Sequence, residues 1–531
     1  MHYMSLPRRL QERPLPQHLL TELQHLTTNY STGSLDKGEH QAVHSPLFEE
    51  ELGWVGVGSE EDVDEAFRRS RQAQMLWADT DVKQRVKVMK RFHHLVAKNR
   101  ELLADFIQLE TGKDRTAAFD EVLDVLNNAR YYSNIAPKLL ATQKQPGAFP
   151  FITKTRLQRV PKGVVGQISP WNYPLALGIS DAVAALLAGN GIVAKPDGST
   201  PFSNLISLYL LKEAGLPKDL LQIVTGSGRV VGSAIAERCD YLMFTGSTKT
   251  GKILGTIVGE RLVGYSAELG GKNPMIIAPD ADIDKHIDTI ATACFSNSGQ
   301  LCVSIERIYV PEAIFDQFIT AFRRATESIK LGSGLNWDYT MGSLIGQDQL
   351  DVVQHFVDDA VNKGATVITG GKPRPDIGLY HFDPTVLTDL GDGTELAEQE
   401  VFGPVVYVQR VRDVEEAIEQ ANKLPYGLNS SVFGQPETAQ AIAEKIDAGS
   451  VTINDGYAST WASISTPLGG VKESGVGRRH GHEGLTKYTE AKNISSQRIM
   501  PMRGPSWLPN KYYGTLLSSA LRLGKALHFL P

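Results

Sequence analysis

Apolar residues recur at helical spacing through residues 61–140, among many lysines and arginines. Spacings of three or four positions, with one wider gap, indicate amphipathic helices that bury one face. The recurring positions are Val86, Met89, Phe92, Val96, Leu103 and Phe106. From about residue 141 to 159 polar and apolar residues alternate instead, which predicts an exposed β-hairpin.

Short apolar runs then alternate with helical segments, first over residues 163–245 and again from residue 273. The first region predicts strands at Gly163–Ile168, Gly191–Lys195, Leu221–Thr225 and Tyr241–Thr245. The second predicts strands at Asn273–Ile277, Arg307–Val310 and Thr366–Thr369, with a helix at Ala313–Ile329. Strand, helix and strand in short units indicate parallel sheets, so the predicted fold class is α/β.

One apolar stretch, Leu175–Leu187, contains Asp181 and is followed by Gly189, which predicts a buried helix. No run of about 18 uncharged apolar residues occurs, so we expect no membrane-spanning helix. Residues 1–25 lack the continuous apolar core of a signal peptide, so none is expected there.

The chain has 531 residues and a formal net charge of −6. Its length suggests roughly three domains, and its charge gives no indication of nucleic acid as a partner. The three cysteines, Cys239, Cys294 and Cys302, include no Cys-x-x-Cys pair. We therefore expect neither a disulfide framework nor a thiolate zinc site. We do expect a cytoplasmic location, where thiols stay reduced.

Cys302 and Glu268 are the candidate catalytic pair. Small residues before Cys302 would let a substrate approach the backbone closely, and an ionised thiol is a strong nucleophile. Glu268 opens an apolar, glycine-rich turn, where partial burial would raise its pKa toward that of a useful general base. A nucleophile with a separate base predicts acyl chemistry through a thioester. We expect Cys239 and Cys294 to be buried structural residues.

Asn172 and two glycine-rich turns follow predicted strands. The amide of Asn172 could stabilise an oxyanion, or the residue could simply form a turn between Pro170 and Pro174. Gly226–Gly232 misses the dinucleotide-binding fingerprint by one residue, and Gly246–Ile253 lacks the hydroxyl that a P-loop needs. A glycine turn that leads into a helix still suits a pyrophosphate.

His480 and His482 are the residues that could suggest a metal site. Their spacing matches no common zinc pattern, and we expect loop histidines to be solvated. No metal is predicted.

Eight motifs occur in the order found in aldehyde dehydrogenases. They are Glu110–Lys113, Pro170–Pro174, Lys195–Pro196, Phe244–Ser247, Glu268–Lys272, Gly299–Cys302, Glu400–Pro404 and Pro467–Gly475. The chain from about residue 50 to 500 therefore resembles the aldehyde dehydrogenase superfamily. The resemblance implies NAD(P)-dependent oxidation of a small-molecule aldehyde to a carboxylic acid.

The family fold implies a Rossmann-like cofactor domain, an α/β catalytic domain and a small β oligomerisation hairpin. On this chain the cofactor domain would span residues 1–140 and 160–267, and the catalytic domain residues 268–466. The oligomerisation element would combine residues 141–159 and 485–500, and residues 501–531 would form a C-terminal tail. A homodimer or homotetramer is the implied assembly.

By resemblance, Cys302 is the nucleophile and Asn172 is the oxyanion donor, together with the backbone N–H of Cys302. Glu268 would activate the water that hydrolyses the thioester.

Lys195 resembles the residue that binds the adenosine ribose, and Glu400 the residue that binds the nicotinamide ribose. Phe402 would lie beside the nicotinamide, and Gly246 and Ser247 would contact the pyrophosphate. The full implied cofactor site is Ser169, Trp171, Asn172, Lys195, Asp197, Gly198, Gly228, Gly246, Ser247, Leu269, Glu400 and Phe402.

The finer resemblance is to a second, NADP-type group of bacterial succinate-semialdehyde dehydrogenases. Better-understood enzymes of that activity bind the substrate carboxylate with two arginines, at positions that are Ser180 and Ser296 here. Serine cannot provide bidentate, charge-assisted pairing. The resemblance to this group predicts succinate semialdehyde as the substrate. The two serines favour the alternative, an uncharged aliphatic or aromatic aldehyde. Tyr457 and Trp461 are predicted to line the same pocket.

The cofactor prediction rests on Gly198. NAD-preferring relatives carry a glutamate at this position, three residues after the lysine, where it binds the ribose hydroxyls. Without that carboxylate a 2′-phosphate is repelled less, so NADP is predicted, with NAD as the alternative. The neighbouring Asp197 could favour either cofactor.

Two other functions compete with this one. A non-catalytic binding protein of the same fold would not need Cys302, and a P-loop phosphotransferase would need a hydroxyl where Ile253 stands. Residues 506–531 form a mildly basic amphipathic segment. We predict that it packs on its own chain or on a partner subunit, with membrane contact as the alternative.

Overall fold

The computed structural model describes residues 17–30, 40–48, 50–147, 153–498 and 503–526. Of the segment tested for a signal peptide, positions 1–16 lie outside this part of the chain. So do the turn of the predicted hairpin, residues 499–500 of the oligomerisation element, and residues 501–502 and 527–531 of the tail.

Helices account for most of residues 61–140, as the apolar spacing there predicted. The helices are α1 Gln17–Tyr30, α2 Glu60–Asp79, α3 Val82–Lys98, α4 Arg100–Thr111, α5 Arg115–Leu139, α6 Pro174–Ala188, α7 Phe202–Glu213, α8 Ser233–Arg238, α9 Thr248–Glu260, α10 Ile283–Phe295, α11 Glu312–Glu327, α12 Gln347–Asn362, α13 Glu395–Glu398, α14 Val414–Asn422, α15 Pro436–Ala443, α16 Ala458–Ala462, α17 Gly481–Thr486 and α18 Asn510–Ala526. Short irregular helices also occur at Gly228–Gly232, Ser296–Gly299 and Lys472–Ser474.

The strands form four sheets. They are β1 His40–Ser45, β2 Glu50–Gly56, β3 Gln143–Gln145, β4 Thr153–Pro161, β5 Val164–Ile168, β6 Gly191–Lys195, β7 Leu221–Ile223, β8 Tyr241–Thr245, β9 Gly264–Glu268, β10 Asn273–Ile277, β11 Ile305–Pro311, β12 Thr366–Thr369, β13 Thr385–Thr388, β14 Val405–Val411, β15 Asn429–Phe433, β16 Ser450–Ile453, β17 Gly475–Val476 and β18 Thr489–Gln497.

Two largely parallel sheets form the body of the molecule. The first has the order β17-β9-β8-β5-β6-β7, and the second has the order β12-β13-β14-β11-β10-β15-β16. The predicted parallel arrangement is confirmed for β5 to β9 and for the second sheet from β13 to β16. The edge strands β17 and β12 are antiparallel. For β12 this corrects the prediction, because Thr366–Thr369 was assigned to a parallel sheet and an apolar run does not reveal strand direction.

The chain passes from the first sheet to the second between β9 and β10. The predicted boundary at residues 267 and 268 falls at the end of β9. The division into a cofactor domain and a catalytic domain stays a prediction.

Helix α6 is the buried helix predicted from the apolar stretch around Asp181. All of its residues are buried, and it packs against α3, α5 and α7. Each fully buried leucine or isoleucine in such a helix contributes about 1.5–3 kcal/mol. Because α6 starts directly after β5, this packing fixes Asn172 and Tyr173 at the carboxyl end of the first sheet.

The predicted hairpin forms a three-stranded antiparallel sheet of order β18-β4-β3. Strand β4 pairs with β18 from Thr153 opposite Gln497 to Pro161 opposite Thr489. Most of β18 is exposed. This sheet has the pairing that the family resemblance implied, and its role in oligomerisation stays a prediction.

Helix α18 lies within the amphipathic tail. Of its described side chains Tyr513 alone is buried, and its ring would collide with a side chain at Gly504. The leucines Leu516, Leu521 and Leu523 are exposed. None of the helices in the described ranges combines the length and apolar composition needed to cross a membrane.

Candidate active site

Cys302 lies after a strained turn between α10 and β11. Three successive residues, Asn297, Ser298 and Gly299, have φ of 52°, 55° and 70°, a conformation that residues with a side chain seldom adopt. A Cβ at Gly299 would lie 2.0 Å from the carbonyl oxygen of Gly403, so glycine is required there. The turn brings the partly exposed Cys302 to the edge of a cavity.

This first cavity has a volume of about 270 Å³. It is lined by Pro170, Trp171, Asn172, Leu177, Thr245, Gly246, Ser247, Glu268, Leu269, Gly270, Cys302, Gln349, Glu400 and Phe402. The structure thus brings together all three predicted catalytic residues and further residues of the predicted cofactor site. They come from motifs that are far apart in the chain, from the one at 170–174 to the one at 400–404.

The remaining predicted cofactor residues lie near the carboxyl ends of β5 and β6. The backbone N–H of Ser169 donates to the carbonyl of Lys195 at 3.1 Å. The ammonium of buried Lys195 donates to the carbonyl of Pro196 at 3.0 Å, and burial lowers the pKa of Lys195. Gly228 comes after β7, and a Cβ at this position would have open space around it.

Asp197 and Gly198 form the turn after β6. Oδ1 of Asp197 accepts from the backbone N–H and the hydroxyl of Ser199, at 2.9 and 2.8 Å. A Cβ at Gly198 would lie 2.5 Å from Nε2 of Gln41. The neighbour of Gly198 is therefore a neutral amide, and the carboxylate of Asp197 is engaged within its own turn.

Hydrogen bonds fix both the side chain and the backbone of Asn172. Its Nδ2 donates to the carbonyl of Gln300 at 3.0 Å, which leaves its second N–H for another acceptor. The backbone carbonyl of Asn172 accepts from the ammonium of Lys113 at 2.6 Å. Lys113 in turn forms a buried ion pair with Glu121 at 2.7 Å. The Lys113–Glu121 pair thus holds Asn172 beside the turn that precedes Cys302.

Glu268 ends β9 and is buried, as its apolar turn predicted. Its Oε1 has no hydrogen-bond partner among the described residues. Burial raises the pKa of Glu268 to about 7. A carboxyl group with this pKa can exchange a proton near neutral pH, as a general base must.

The surroundings of Cys302 disfavour ionisation of its thiol. Burial, followed by the nearby carboxylates of Glu268 and Glu400, raises the pKa of the Cys302 thiol to about 12. Formation of the thiolate therefore requires a proton acceptor or an added positive charge. Burial also raises the pKa of Cys294, and it raises the pKa of Cys239 to about 11; both cysteines are buried as predicted.

Glu400 and Phe402 lie on a loop that a second buried ion pair supports. Oε1 of Glu400 accepts from the backbone N–H of Gly271 at 2.9 Å, and burial raises the pKa of Glu400 to about 8. Glu306 accepts from the backbone N–H groups of Val401 and Phe402 and pairs with Lys272 at 2.6 Å. Glu306 was not among the predicted site residues. The available signal was a pair of charged residues, Glu306 and Arg307, at the start of an apolar run.

A second cavity of about 130 Å³ adjoins the apolar cluster against which Cys302 packs. The cavity and the cluster have four residues in common, Tyr173, Leu301, Tyr457 and Trp461. Tyr457 and Trp461 therefore lie where a substrate pocket was predicted. The other lining residues are Asp120, Leu123, Asp124, Asn127, Ala458 and Ala462.

The two serines predicted for the pocket lie beside this second cavity without lining it. Ser180 is buried and donates its hydroxyl to Oδ2 of Asp124 at 2.5 Å. Ser296 forms a side-chain hydrogen bond with Tyr457 and lines a larger neighbouring cavity of about 440 Å³. Neither is among the lining residues of the 130 Å³ cavity, but each is hydrogen-bonded to a residue that is, Ser180 to Asp124 and Ser296 to Tyr457.

His480 corrects one expectation, since it is buried rather than solvated. Its ring lies 6.2 Å from that of Trp461, and burial lowers the pKa of His480 to about 3. His480 directly precedes α17, which starts at Gly481, whereas His482 lies within that helix and is exposed. Across the described ranges no three histidine, cysteine, aspartate or glutamate residues are grouped for a metal ion.

The aldehyde dehydrogenase family model matches residues 34–494, and the chain belongs to that family. The predicted family, fold and aldehyde-oxidising activity are confirmed. This membership favours an enzyme over the non-catalytic binding protein and the P-loop phosphotransferase.

Among its relatives, a protein of Mycolicibacterium smegmatis is 49% identical over 499 residues, which cover 94% of this chain and 96% of the relative. A protein of Mycobacterium tuberculosis is 50% identical over 459 residues, or 86% of this chain and 89% of the relative. Both carry the provisional name succinate-semialdehyde dehydrogenase, NADP(+).

Solved structures are similar in fold. An aldehyde dehydrogenase from Bacillus cereus has a TM-score of 0.84 and 33% identity over 90% of this chain and 98% of its own. Betaine aldehyde dehydrogenase from Staphylococcus aureus, in complex with NAD+, has a TM-score of 0.85 and 31% identity over 93% of this chain and 100% of its own.

Proposed function

We propose that this chain oxidises a small aldehyde to the corresponding acid through a thioester on Cys302, with NADP as the preferred cofactor. The observation that carries the proposal is the shared lining of one cavity by Cys302, Glu268, Asn172 and Glu400. A nucleophile, a base, an amide donor and a ribose-binding carboxylate are the groups that this reaction needs.

The first stage forms a bond between Sγ of Cys302 and the aldehyde carbon. The thiol proton passes to an acceptor, and the carbonyl oxygen gains negative charge that the N–H groups of Asn172 and Cys302 stabilise. When bound, the nicotinamide cofactor supplies the acceptor for the hydride that leaves the former aldehyde carbon. The product of this stage is a thioester on Cys302.

The second stage breaks the bond between sulfur and the acyl carbon. Glu268 takes a proton from a water molecule, whose oxygen adds to the thioester carbon. The thiolate leaves and is protonated again, and the acid is released. The pKa of Glu268, raised by burial to about 7, suits a group that must accept and then lose a proton.

Two features fit a nucleotide cofactor. Lys195 is a buried cation without an ion-pair partner in the described part of the chain, and its Cδ would lie 3.9 Å from a Cβ at Gly232. Burying a charge without a partner is costly, so a hydroxyl-rich or phosphate-bearing ligand suits the position. Glu400 and Phe402 would hold the nicotinamide end, and Gly246 and Ser247 the pyrophosphate.

The preference for NADP rests on the surroundings of Gly198. The neighbour there is the neutral amide of Gln41, and Asp197 is engaged by Ser199. A 2′-phosphate would thus meet no free carboxylate in this turn. The provisional names of the two mycobacterial relatives also specify NADP(+).

Two substrates remain as candidates. The names of the relatives favour succinate semialdehyde. An aldehyde without a carboxylate, the alternative, is favoured by the 130 Å³ cavity, whose lining residues include no lysine or arginine. The cavity is small beside the roughly 300–1,000 Å³ of sites for drug-sized ligands, which favours a short substrate in either case.

The test is an assay of purified protein with NADP or NAD and a panel of short aldehydes, and the same assay on Cys302→Ala. We expect reduced NADP to accumulate with the intact enzyme only, while Cys302→Ala still binds the nucleotide. Oxidation by Cys302→Ala, or no oxidation of any aldehyde by the intact protein, would refute the proposal.

Three further features belong to the proposal. The exposed β18-β4-β3 sheet would join subunits into a homodimer or homotetramer, which light scattering tests. The location would be cytoplasmic, where Cys302 stays reduced. The exposed leucines of α18 would contact a partner subunit, and liposome flotation should be equal for the full chain and for a chain ending at Met500.

A further inference from the structure

One face of α5 forms a wall of the second cavity, the one of about 130 Å³. Asp120, Leu123, Asp124 and Asn127 all line it, and their spacing of three and four positions places them on one side of the helix. Two of these four side chains are carboxylates. Carboxylates in the wall would stabilise neither an anionic nor a purely apolar substrate.

Asp124 is buried with half of its carboxylate unsatisfied. Oδ2 accepts from the hydroxyl of Ser180 at 2.5 Å, whereas Oδ1 has no hydrogen-bond partner among the described residues. Arg479 lies close enough to favour its ionised form, but that guanidinium pairs with Asp181 at 2.9 Å. A buried carboxylate oxygen without a donor is costly, and a bound cation would compensate it.

Asp120 adds a second carboxylate to the cavity wall. No lysine or arginine forms an ion pair with it in the described ranges, and the nearest buried cation, Lys113, is paired with Glu121. Burial raises the pKa of both Asp120 and Asp124 to about 6. Both carboxyl groups are therefore still mainly ionised at neutral pH and above.

The walls opposite α5 are aromatic. Tyr173, Tyr457 and Trp461 line the cavity, and the rings of Tyr173 and Trp461 lie 6.2 Å apart at an interplanar angle of 49°. The Tyr173 hydroxyl, like Oδ1 of Asp124, has no partner among the described residues. Aromatic faces combined with carboxylates attract an organic cation, above all an alkylated ammonium group.

The adjacent cavity of about 440 Å³ carries the same charge. It shares Asp120 with the second cavity and is lined as well by Asp114, Asp288 and Asp338, against the single cation Lys330. Acidic surroundings of this kind concentrate cations and repel carboxylates.

We propose that the second cavity binds the positively charged end of an ω-ammonio aldehyde, whose carbonyl carbon then reaches Cys302. This inference rests on the proposed oxidation of aldehydes. It specifies the chemical group at the end of the substrate opposite the aldehyde. Carboxylates of Asp120 and Asp124 would attract the ammonium group, and the aromatic rings would surround its alkyl substituents. A substrate that ends in a carboxylate would be repelled.

Three probe aldehydes of similar length test the charge preference. They are 4-(trimethylammonio)butanal, its neutral isostere 5,5-dimethylhexanal, and succinate semialdehyde. The quaternary ammonium cannot lose a proton or cyclise, and its isostere differs only by carbon in place of the charged nitrogen. We expect kcat/KM for the cation to exceed that for the isostere at least about tenfold, with succinate semialdehyde the poorest of the three.

Asp124→Asn and Asp120→Asn test the residues. Each keeps the shape of the side chain and removes its charge, so each should lower the cation-to-isostere ratio of kcat/KM at least about fivefold, mainly through KM. The exposed Asp79→Asn removes the same charge elsewhere and should leave the ratio unchanged. Because a ratio is measured within one variant, partial loss of folded enzyme does not affect it.

The possible failures are distinguishable. A preference for the isostere or for succinate semialdehyde, or a ratio that neither asparagine variant changes, would overturn the inference but leave the proposed function intact. Failure to oxidise any of the three probes or a wider aldehyde panel would refute the proposed function itself.

Discussion

The guanidinium Nη2 of Arg479 lies 2.9 Å from Oδ2 of Asp181, and both side chains are buried. Oδ1 of Asp181 also accepts from the ammonium of Lys487 at 3.1 Å and from the hydroxyl of Tyr488 at 3.2 Å. These contacts tie α6 to the segment from β17 to β18. Burial opposes ionisation of Asp181, but Arg479 and Lys487 lower its pKa to about 2.

Replacing Asp181 by asparagine is expected to lower the free energy of unfolding by about 3–5 kcal/mol, because two buried cations lose their counter-ion. The pKa of Asp181 in the folded state, about 2, lies below the ordinary value near 3.9. Its stabilising contribution is therefore present above about pH 4 and is lost as pH falls through about 2. Urea denaturation near neutral pH measures the loss. A change no larger than that of the exposed Asp79→Asn would contradict this prediction.

Glu268 is expected to set the pH dependence of the steady-state rate. Only its carboxylate form can accept a proton from water, so the rate should rise with pH through about 7, the pKa to which burial raises Glu268, and then level. Glu268→Gln should lower the steady-state rate by roughly 10²–10⁴-fold. It should still release about one equivalent of reduced cofactor per active site in a rapid first phase. Stopped-flow measurement resolves this phase, and its absence would place Glu268 before thioester hydrolysis.

Cys302 is expected to react slowly with iodoacetamide in the enzyme without cofactor. Burial, with Glu268 and Glu400, raises its pKa to about 12, and only the thiolate is alkylated. The rate should keep rising above about pH 9, where a free thiol with pKa near 8.5 levels off. Peptide mass spectrometry follows each cysteine, with buried Cys239 and Cys294 as internal controls. A plateau below about pH 8 would show that the site already stabilises the thiolate.

Gly198→Glu is expected to reverse the preference for NADP. A carboxylate in this turn would repel a 2′-phosphate, so the ratio of kcat/KM for NADP to that for NAD should fall at least about tenfold, equivalent to about 1.4 kcal/mol. Gly198→Ala is the matched control, because it introduces the Cβ that approaches Gln41 but adds no charge. Equal ratios for the two variants would mean that crowding, not charge, governs the choice.

Local sequence was sufficient for much of the fold and for the reacting groups. The strands at 191–195, 241–245 and 273–277 have the predicted bounds, because short apolar runs between helical segments are a local signal. Cys302 and Glu268 were found from the small and glycine residues that flank each of them. Both line one cavity, since those residues let the backbone approach closely.

Only the tertiary structure decided what surrounds the substrate. Ser180 was predicted for the pocket, yet its hydroxyl is directed to Asp124, 56 residues earlier in the chain. The acidic face of α5 gave no periodic signal of its own, because polar residues on a helix are normally solvated. The Arg479–Asp181 pair likewise joins segments that are distant in the chain. Apolar spacing reports which face of an element is buried, but which charges then meet inside depends on how the elements pack.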